Sequence, residues 1–311
     1  MNASAATMST GALQVVRDYI SLLKLRIVAL LDATALAVMI PAAHGHPRLA
    51  AVMAVLVGGT LAAGGAHAIN CWFDRDIDAE MTRTRKRPLP GGRIPASHAL
   101  VLGIALNVAA FAVLWEWANL LAATLALAGA LIYVFVYTIW LKRSTPQNIV
   151  IGGAAGAMPP LVGWAAATGG IDLTALAFFA VVFFWTPPHF WALAQVIKSD
   201  YARARIPMLP VVAGDQETRR QILIYTLILA PLGVAPWLLG YAGPLYGIAA
   251  VATGVAMIVL ALRVRAERRG HAASKQMFGF SIFYLFVLFA VLLADRLWGG
   301  LAAQAVSLFA A

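Results

Sequence analysis

Residues 221–262 read QILIYTLILAPLGVAPWLLGYAGPLYGIAAVATGVAMIVLAL, a run without one charged side chain. A helix crosses the apolar part of a bilayer with roughly 20 apolar residues, so this run is about twice what one crossing needs. It divides at Tyr241-Ala242-Gly243-Pro244, a turn cluster closed by a proline that cannot continue a helix. Two crossings joined by a tight turn make lipid, not water, the solvent of this chain.

The rest of the sequence agrees. Of 311 residues, 62% are hydrophobic and only 12% charged, against about half and a quarter in soluble domains. Mean hydropathy is +0.82. No polar stretch remains long enough for a soluble enzyme held by one anchor. Scanning for lightly charged stretches yields spans near 27–43, 49–69, 98–115, 117–140, 149–168, 173–196, 221–240, 245–262 and 277–297. The expectation is an all-α polytopic membrane protein, a single bundle of about nine transmembrane helices. Residues 1–18 form an amino-terminal tail, 19–298 the bundle and 299–311 a carboxyl-terminal tail. Residues 1–16 lack a basic stretch followed by an apolar core, so no signal-peptide cleavage is expected. Cys71 is the only cysteine, which excludes an internal disulfide.

The net charge is +10. In a soluble protein such an excess would point to nucleic acid; here the distribution argues otherwise. Basic residues of the amino-terminal tail and of loops 70–97, 141–148, 197–220 and 263–276 account for 21 of the 23, and these loops alternate along the chain. Only Arg48 and Arg296 fall opposite. The positive-inside rule then puts the amino terminus and those loops in the cytoplasm and the carboxyl terminus outside, with no nucleic-acid partner.

Two of the basic loops also carry acids. Asn70, Asp74 and Asp78 are spaced i, i+4, i+8, so a helix continuing from the second span puts them on one face, with His67 on the same stripe. Stacked carboxylates repel, and hard oxygen ligands of this kind suit Mg²⁺, which keeps water and shares phosphate oxygens with a substrate. Arg83, Arg85, Lys86 and Arg87 follow at once. Arginine's planar fork matches phosphate, so acids followed by bases describe a diphosphate site. The competing reading is a solvated, ion-paired loop, which is preferred for Asp76 and Glu80, off the stripe.

The second constellation lies at 184–212. Asp200 again ends a span, among Lys198, Arg203 and Arg205, and Pro207-Met208-Leu209-Pro210 echoes Arg87-Pro88-Leu89-Pro90 of the first loop. Position 204, where a second carboxylate would complete a DxxxD, is alanine. Two acidic loops facing each other would make one metal–diphosphate pocket. Pro187 and Pro188 free backbone carbonyls inside the sixth span. His189 follows, three turns before Asp200; an intramembrane histidine reads either as a functional group or as a buried imidazole bonded to a freed carbonyl. Asp32 reads as a partner of Lys24 or Arg26 or as a substrate contact. Gly152, Gly153 and Gly156 with Pro159-Pro160 read as close helix packing and a kink. Tyr137, Lys142 and Asn148 bracket the end of spans four and five, where they reach a diphosphate or anchor the interface.

Asn70-x3-Asp74-x3-Asp78 with Arg83-x3-Arg87 resembles the first aspartate-rich motif of the UbiA-type intramembrane prenyltransferases, whose nine-helix fold would match the nine spans. The longer strings Asn70-Cys-Trp-Phe-Asp-Arg-Asp-Ile-Asp78, Pro187-Pro-His-Phe-Trp-Ala-Leu193, Asp200-Tyr201 through Ile206-Pro207-Met208-Leu209-Pro210, and Leu141-Lys-Arg-x-Thr-Pro-x-Asn148 through Gly153 resemble the branch of that family that farnesylates haem. The likeness runs from about Tyr19 to the ninth span. Ala204 departs from the family's usual DxxxD but fits this branch. Leu25 stands where a proline would be expected.

The resemblance implies transfer of the farnesyl group of farnesyl diphosphate to a vinyl carbon of haem B in a bacterial inner membrane, with haem A synthase or a terminal oxidase assembly as protein partners. It implies Mg²⁺ on Asp74, Asp78 and Asp200, with Asn70 beside them. Diphosphate would be gripped by Arg83, Arg87, Lys142, Arg143 and Lys198. Contacts to haem would come from His189, His67, Tyr137 and Asn148. Trp72, Phe73, Phe190 and Trp191 would wall out water. The alternatives are a prenyltransferase for an aromatic quinone precursor, which shares the first motif, and an ion-coupled transporter, which also uses broken helices and intramembrane acids but would hold its acids near the midplane.

Overall fold

The computed structural model describes the backbone of residues 3–309 and the side chains of residues 11–295. Among the described residues there are helices and no strand. Nine of the helical segments are long and apolar enough to cross a membrane. The chain is a multi-pass membrane protein, and its spans follow the sequence expectation to within a few residues at most boundaries.

After α1 (Ala3–Leu22) come α2 (Leu25–Ala42), α3 (Leu49–Phe73), the short α4 (Arg75–Glu80), α5 (Ala96–Trp117) and α6 (Leu120–Leu131). Then follow α7 (Asn148–Thr168), α8 (Leu173–Val196), two short helices α9 (Lys198–Arg203) and α10 (Leu209–Val212), α11 (Gly214–Leu238), α12 (Pro244–Ala266) and α13 (Ala272–Phe309). The division of the uncharged run is where the turn cluster predicts it. α11 stops at Leu238 and α12 opens on Pro244, whose missing N–H is harmless in a first turn. α11 starts earlier than hydropathy suggests, with Asp215 and Glu217 in its first turn complementing the helix dipole. The last helix runs from Ala272 to Phe309.

Helix ends follow local chemistry. Asn119 and Asp172 cap α6 and α8 by accepting the N–H of Ala122 (2.8 Å) and Ala175 (3.0 Å). α7 closes on Gly169 in the left-handed region, φ 75°. α8 runs unbroken as α-helix through Pro187 and Pro188, and α7 through Pro159 and Pro160. The fourth span departs from α geometry. α6 passes into a π-helix over Ile132–Trp140 and a 3₁₀ turn over Leu141–Arg143. The wider winding rotates the chain relative to an α-helix and is tied by Thr138, whose hydroxyl donates to the Tyr133 carbonyl five residues back (2.8 Å).

α7 is the central helix; two thirds of its span is buried, more than any other. It belongs to both large apolar clusters. Met158, Leu161 and Trp164 pack with α8, α11, α12 and α13, and Val162, Ala165 and Ala166 pack with α2, α3, α5 and α6. Lipid is as apolar as leucine, so close packing rather than water exclusion holds such helices together. α3 and α5 touch through Gly65 and Gly103. A Cβ on either would lie 2.7 Å from the other's carbonyl oxygen.

Candidate active site

The loops expected on one side of the membrane do meet at one end of the bundle, hereafter the basic end. Arg143, after the fourth span, reaches Asp76, after the second. Arg203 of α9 donates to Thr82 of the first loop (2.8 Å). Arg93 of that loop grips Asp18 of α1 (2.8 Å).

At the centre are Asn70, Asp74 and Asp78, all buried and on a continuous helical path, since the N–H of Asp78 bonds the Asp74 carbonyl across the α3–α4 joint (2.8 Å). Asp76 and Glu80 point out and are exposed. The shared face predicted from the i, i+4, i+8 spacing is therefore present. Asn70 Nδ2 donates to Asp74 Oδ2 (2.6 Å) and to Thr138 Oγ (3.1 Å). The π-helical segment thus delivers a buried hydroxyl to the acidic face, and it also stacks Tyr137 on Tyr133 beside it, ring centroids 5.5 Å apart. Tyr137 packs against Gly152, where a Cβ would strike its ring; the glycine-rich start of α7 is close packing, as expected.

Asp74 and Asp78 each face a base. Lys142 Nζ donates to Asp74 Oδ2, and Arg143 lies 3.6 Å from Oδ1. Arg87 donates to Asp78 (2.7 Å), whose carbonyl accepts the Thr84 hydroxyl (2.9 Å). Arg143 forks onto both oxygens of Asp76 (2.7 Å each), which holds that carboxyl down to about 2. A fourth cation was not anticipated there. Lys24, in the turn between α1 and α2, donates to Asn70 Oδ1 (2.8 Å). Burial lowers its ammonium to about 8. The sequence offers Lys24 only as one of two partners for Asp32. Asp32 instead accepts from Thr60 (2.7 Å), inside the bundle. Lys24, Arg26 and Arg87 also line an open cleft of about 380 Å³, whose other wall is Ile20, Leu25 and Ile27.

The second loop stands apart. Asp200 is half-buried and its nearest base is its own neighbour Arg203, 3.6 Å away. Among the described residues no three of His, Cys, Asp and Glu converge as a metal cluster, so Asp200 does not close on Asp74 and Asp78. Lys198 pairs with Asp215 of α11 (2.9 Å). Arg83 is exposed. Tyr201 and Phe190 pack with Ile77 and Met81, which docks this loop on α4; burial holds the Tyr201 phenol above its ordinary range. Asn148 is buried, donates to the Thr145 carbonyl (2.6 Å) and leaves Oδ1 without a hydrogen-bond partner. His67 faces the Leu23 carbonyl through Nδ1 (3.0 Å) and the edge of Tyr133. His189 lies between Trp185 and Phe278, centroids 4.2 and 4.7 Å away, with Nδ1 on the Ser281 hydroxyl (2.7 Å) rather than on a freed carbonyl.

The expected aromatic wall is also rearranged. Trp191 is core, edge-on to Tyr225, and Trp72 and Phe73 lie under Arg75 and Arg143. Tyr133, Tyr137, Phe190 and Tyr201 are the aromatics around the acidic helix turn.

The donor set fits Mg²⁺. Two buried carboxylates are what this ion takes from protein when phosphate oxygens and water complete its shell, and Asp74 Oδ1 is a buried oxygen with no hydrogen-bond donor.

The UbiA prenyltransferase family matches residues 31–287 of this chain. A protoheme IX farnesyltransferase of Azorhizobium caulinodans is 51% identical over 304 residues, which is 96% of this chain and 98% of that one. A protoheme IX farnesyltransferase of Roseiflexus sp. is 52% identical over 92% of this chain, which spans 53% of that longer protein. Among solved structures, a digeranylgeranylglyceryl phosphate synthase superposes with TM-score 0.77 at 15% identity, covering 91% of this chain and 99% of that one. A UbiA homolog from Archaeoglobus fulgidus bound to GPP and Mg²⁺ gives 0.64 at 18%, covering 88% and 99%. Nine spans, an Asn–Asp–Asp face ringed by bases at one end, and a family match across most of its length lead to one assignment: the chain belongs to the UbiA prenyltransferase family.

Proposed function

We propose that this chain transfers the farnesyl group of farnesyl diphosphate to a vinyl group of haem B, one water adding to the other vinyl carbon, giving haem O and diphosphate. The observation that carries the reading is identity of 51% along nearly the whole of a protein named for that reaction. The geometry of the basic end supplies the parts it needs.

Asp74 and Asp78 are the residues to hold Mg²⁺, with Asp200 at the margin of their site, and the ion would supply positive charge against the departing diphosphate. Lys142 and Arg87, paired with Asp74 and Asp78, are the bases closest to hand for phosphate oxygens, with Arg83 and Arg143 at the rim and Lys198 further off. The ion pairs keep four buried or half-buried charges neutral between turnovers; isolated, each would carry a desolvation penalty of several kcal/mol. Tyr137, Tyr201 and Phe190 form an apolar cover next to the acids, which keeps water from quenching an allylic cation.

On the acceptor side His189 is better arranged than a packing residue requires. The Ser281 hydroxyl donates to the Phe278 carbonyl (2.7 Å), so its proton is committed and Nδ1 of His189 must be the donor to Oγ. That leaves the Nε2 lone pair for haem iron. Trp185 donates to the Ser281 carbonyl (2.7 Å) and holds the same ring from one face. We assign Asn148 and Tyr137 to the acceptor boundary and place the basic end in the cytoplasm of an inner membrane, on the bias of its loops. Haem A synthase or a terminal oxidase assembly would then receive the product.

Purified protein given haem B, farnesyl diphosphate and Mg²⁺ should yield farnesylated haem by mass spectrometry. Prenylation of hydroxybenzoate-type acceptors only would overturn the acceptor assignment. His189→Ala should shift the absorption spectrum of bound haem B and weaken its binding. An unchanged spectrum and affinity would return this histidine to packing.

A further inference from the structure

We propose that Lys24 is a positioning residue for the diphosphate site, acting through Asn70 on Asp74. The proposal rests on the reading of Asp74 as a metal–diphosphate ligand.

Lys24 sits in the two-residue turn between α1 and α2 at φ 52°, ψ 49°, the left-handed region that a side chain other than Gly or Asn rarely adopts. Something must hold it there, and that something is one stripe of α3. Leu23 packs on Gly64, where a Cβ would meet Leu23 Cβ at 3.3 Å. The Leu23 carbonyl accepts His67 Nδ1–H (3.0 Å), and Lys24 Nζ reaches Asn70 (2.8 Å). Positions 64, 67 and 70 are successive i+3 steps on one helix face. His67 is thereby occupied with the turn, which separates it from His189.

The identity of the groups settles which way Asn70 points. An ammonium only donates, so the atom facing Lys24 is the amide oxygen. A carboxylate only accepts, so the atom facing Asp74 is the amide nitrogen. Asn70 therefore offers N–H, not oxygen, to Asp74 Oδ2, which Lys142 also addresses. The other oxygen, Oδ1, is buried and has no hydrogen-bond donor, its nearest base being Arg143 at 3.6 Å. With Lys24 removed, the amide still turns its N–H to the carboxylate and to Thr138, both of which accept, but its oxygen loses the ammonium that anchors it, and the N–H on Asp74 Oδ2 is no longer held in place. Lys24 thus steadies the amide that engages Asp74 Oδ2 without touching the acid itself. It also lines the open cleft with Arg87, so direct phosphate binding by its ammonium is the rival explanation.

A double-mutant cycle separates the two. The probe is thermal stabilisation of the detergent-solubilised chain by inorganic diphosphate with Mg²⁺, read alongside KM for Mg²⁺ in the transferase assay. Lys24→Met should weaken apparent affinity by about tenfold, the size of one lost hydrogen bond to a charged group. In an Asn70→Ala background the same substitution should cost less than about twofold, because its target is gone. Lys24→Arg should recover most of the loss. Lys24→Gly, which relaxes the left-handed turn, should bind as weakly as Lys24→Met, so poor folding of one variant does not shelter the idea. Equal losses in both backgrounds would mean that Lys24 grips phosphate itself, and wild-type binding by Lys24→Gly would mean that its side chain does nothing; either outcome overturns the proposal. Asp74→Asn tells the two levels apart. Undiminished binding by that variant would remove the metal-site reading and this proposal together, whereas loss there with intact Lys24 variants would remove the proposal alone.

Discussion

The two polar loops of the basic end look alike in sequence and differ in space. Each follows a span, carries an aspartate among basic residues and runs into a Pro-x-Leu-Pro or Arg-Pro-Leu-Pro string. In the first, Asp74 and Asp78 are buried, and Asp74 is addressed by Lys142, Asn70 and Arg143, drawn from the second and fourth spans. In the second, Asp200 keeps part of its surface open, and its nearest base is three residues away. Burial with partners from distant parts of the chain marks a site that the fold builds. A pair three residues apart whose base lies half in solvent is what any helix surface provides. We therefore propose that the first loop carries the binding site and that the second serves it as a cover docked through Tyr201, with one acid at its edge.

The largest effect should come from breaking the first loop. Asp74→Asn removes the charge at constant volume and leaves Lys142 buried without its partner. Turnover of farnesyl diphosphate should fall roughly 100-fold or more, on the scale of losing a group that stabilises developing charge, and Asp78→Asn should follow it closely. Near-normal product formation by both variants would dissolve the metal-site argument. Asp200→Asn sharpens the contrast: about a tenfold loss, expressed mainly in KM for Mg²⁺, is expected for an acid at the margin. If it matched Asp74→Asn, the two loops would be equal partners and the asymmetry described above would be a property of one state only.

The smallest effect concerns Asp76, the exposed neighbour of the buried pair. Its carboxyl is held near 2 by Arg143 against an ordinary 3.8, so its contribution to stability is complete above the ordinary value and vanishes as pH falls from 3.8 toward 2. The side chain is 60% exposed, which limits the pair to at most ~1 kcal/mol. Asp76→Asn should lower the melting temperature slightly at pH 7, and the difference from wild type should close in acid. A gap that widened in acid would contradict the pairing.

Much of this was legible before any coordinates. Gln221–Leu262 announced two crossings, and Tyr241–Pro244 their division; Asn70, Asp74 and Asp78 announced one face. Other features had no signature. The π-helix at Ile132–Trp140, from which Thr138 and Tyr137 meet α3 and α7, has no residue preference that marks it. Lys24 was noticed as a neighbour for Asp32, yet Asp32 turned to Thr60 and Lys24 to Asn70, 46 positions away. The echo between the loops suggested an equivalence of Asp200 with Asp74 that burial does not support.

The amino-acid sequence by itself determined that lipid is the solvent, how many times the chain crosses it, which loops share an end, and which acids share a helical face. Those follow from composition, from charge placement and from the period of a helix. Only the tertiary structure decided which base faces which acid, which imidazole nitrogen meets Ser281, and that a lysine in the left-handed region meets the amide beside Asp74. The physical reason is that lipid and protein interior are equally apolar. A spanning helix has no hydrophobic stripe to declare its rotation, so the register of one helix against another, and with it every long-range polar contact, is set by packing alone.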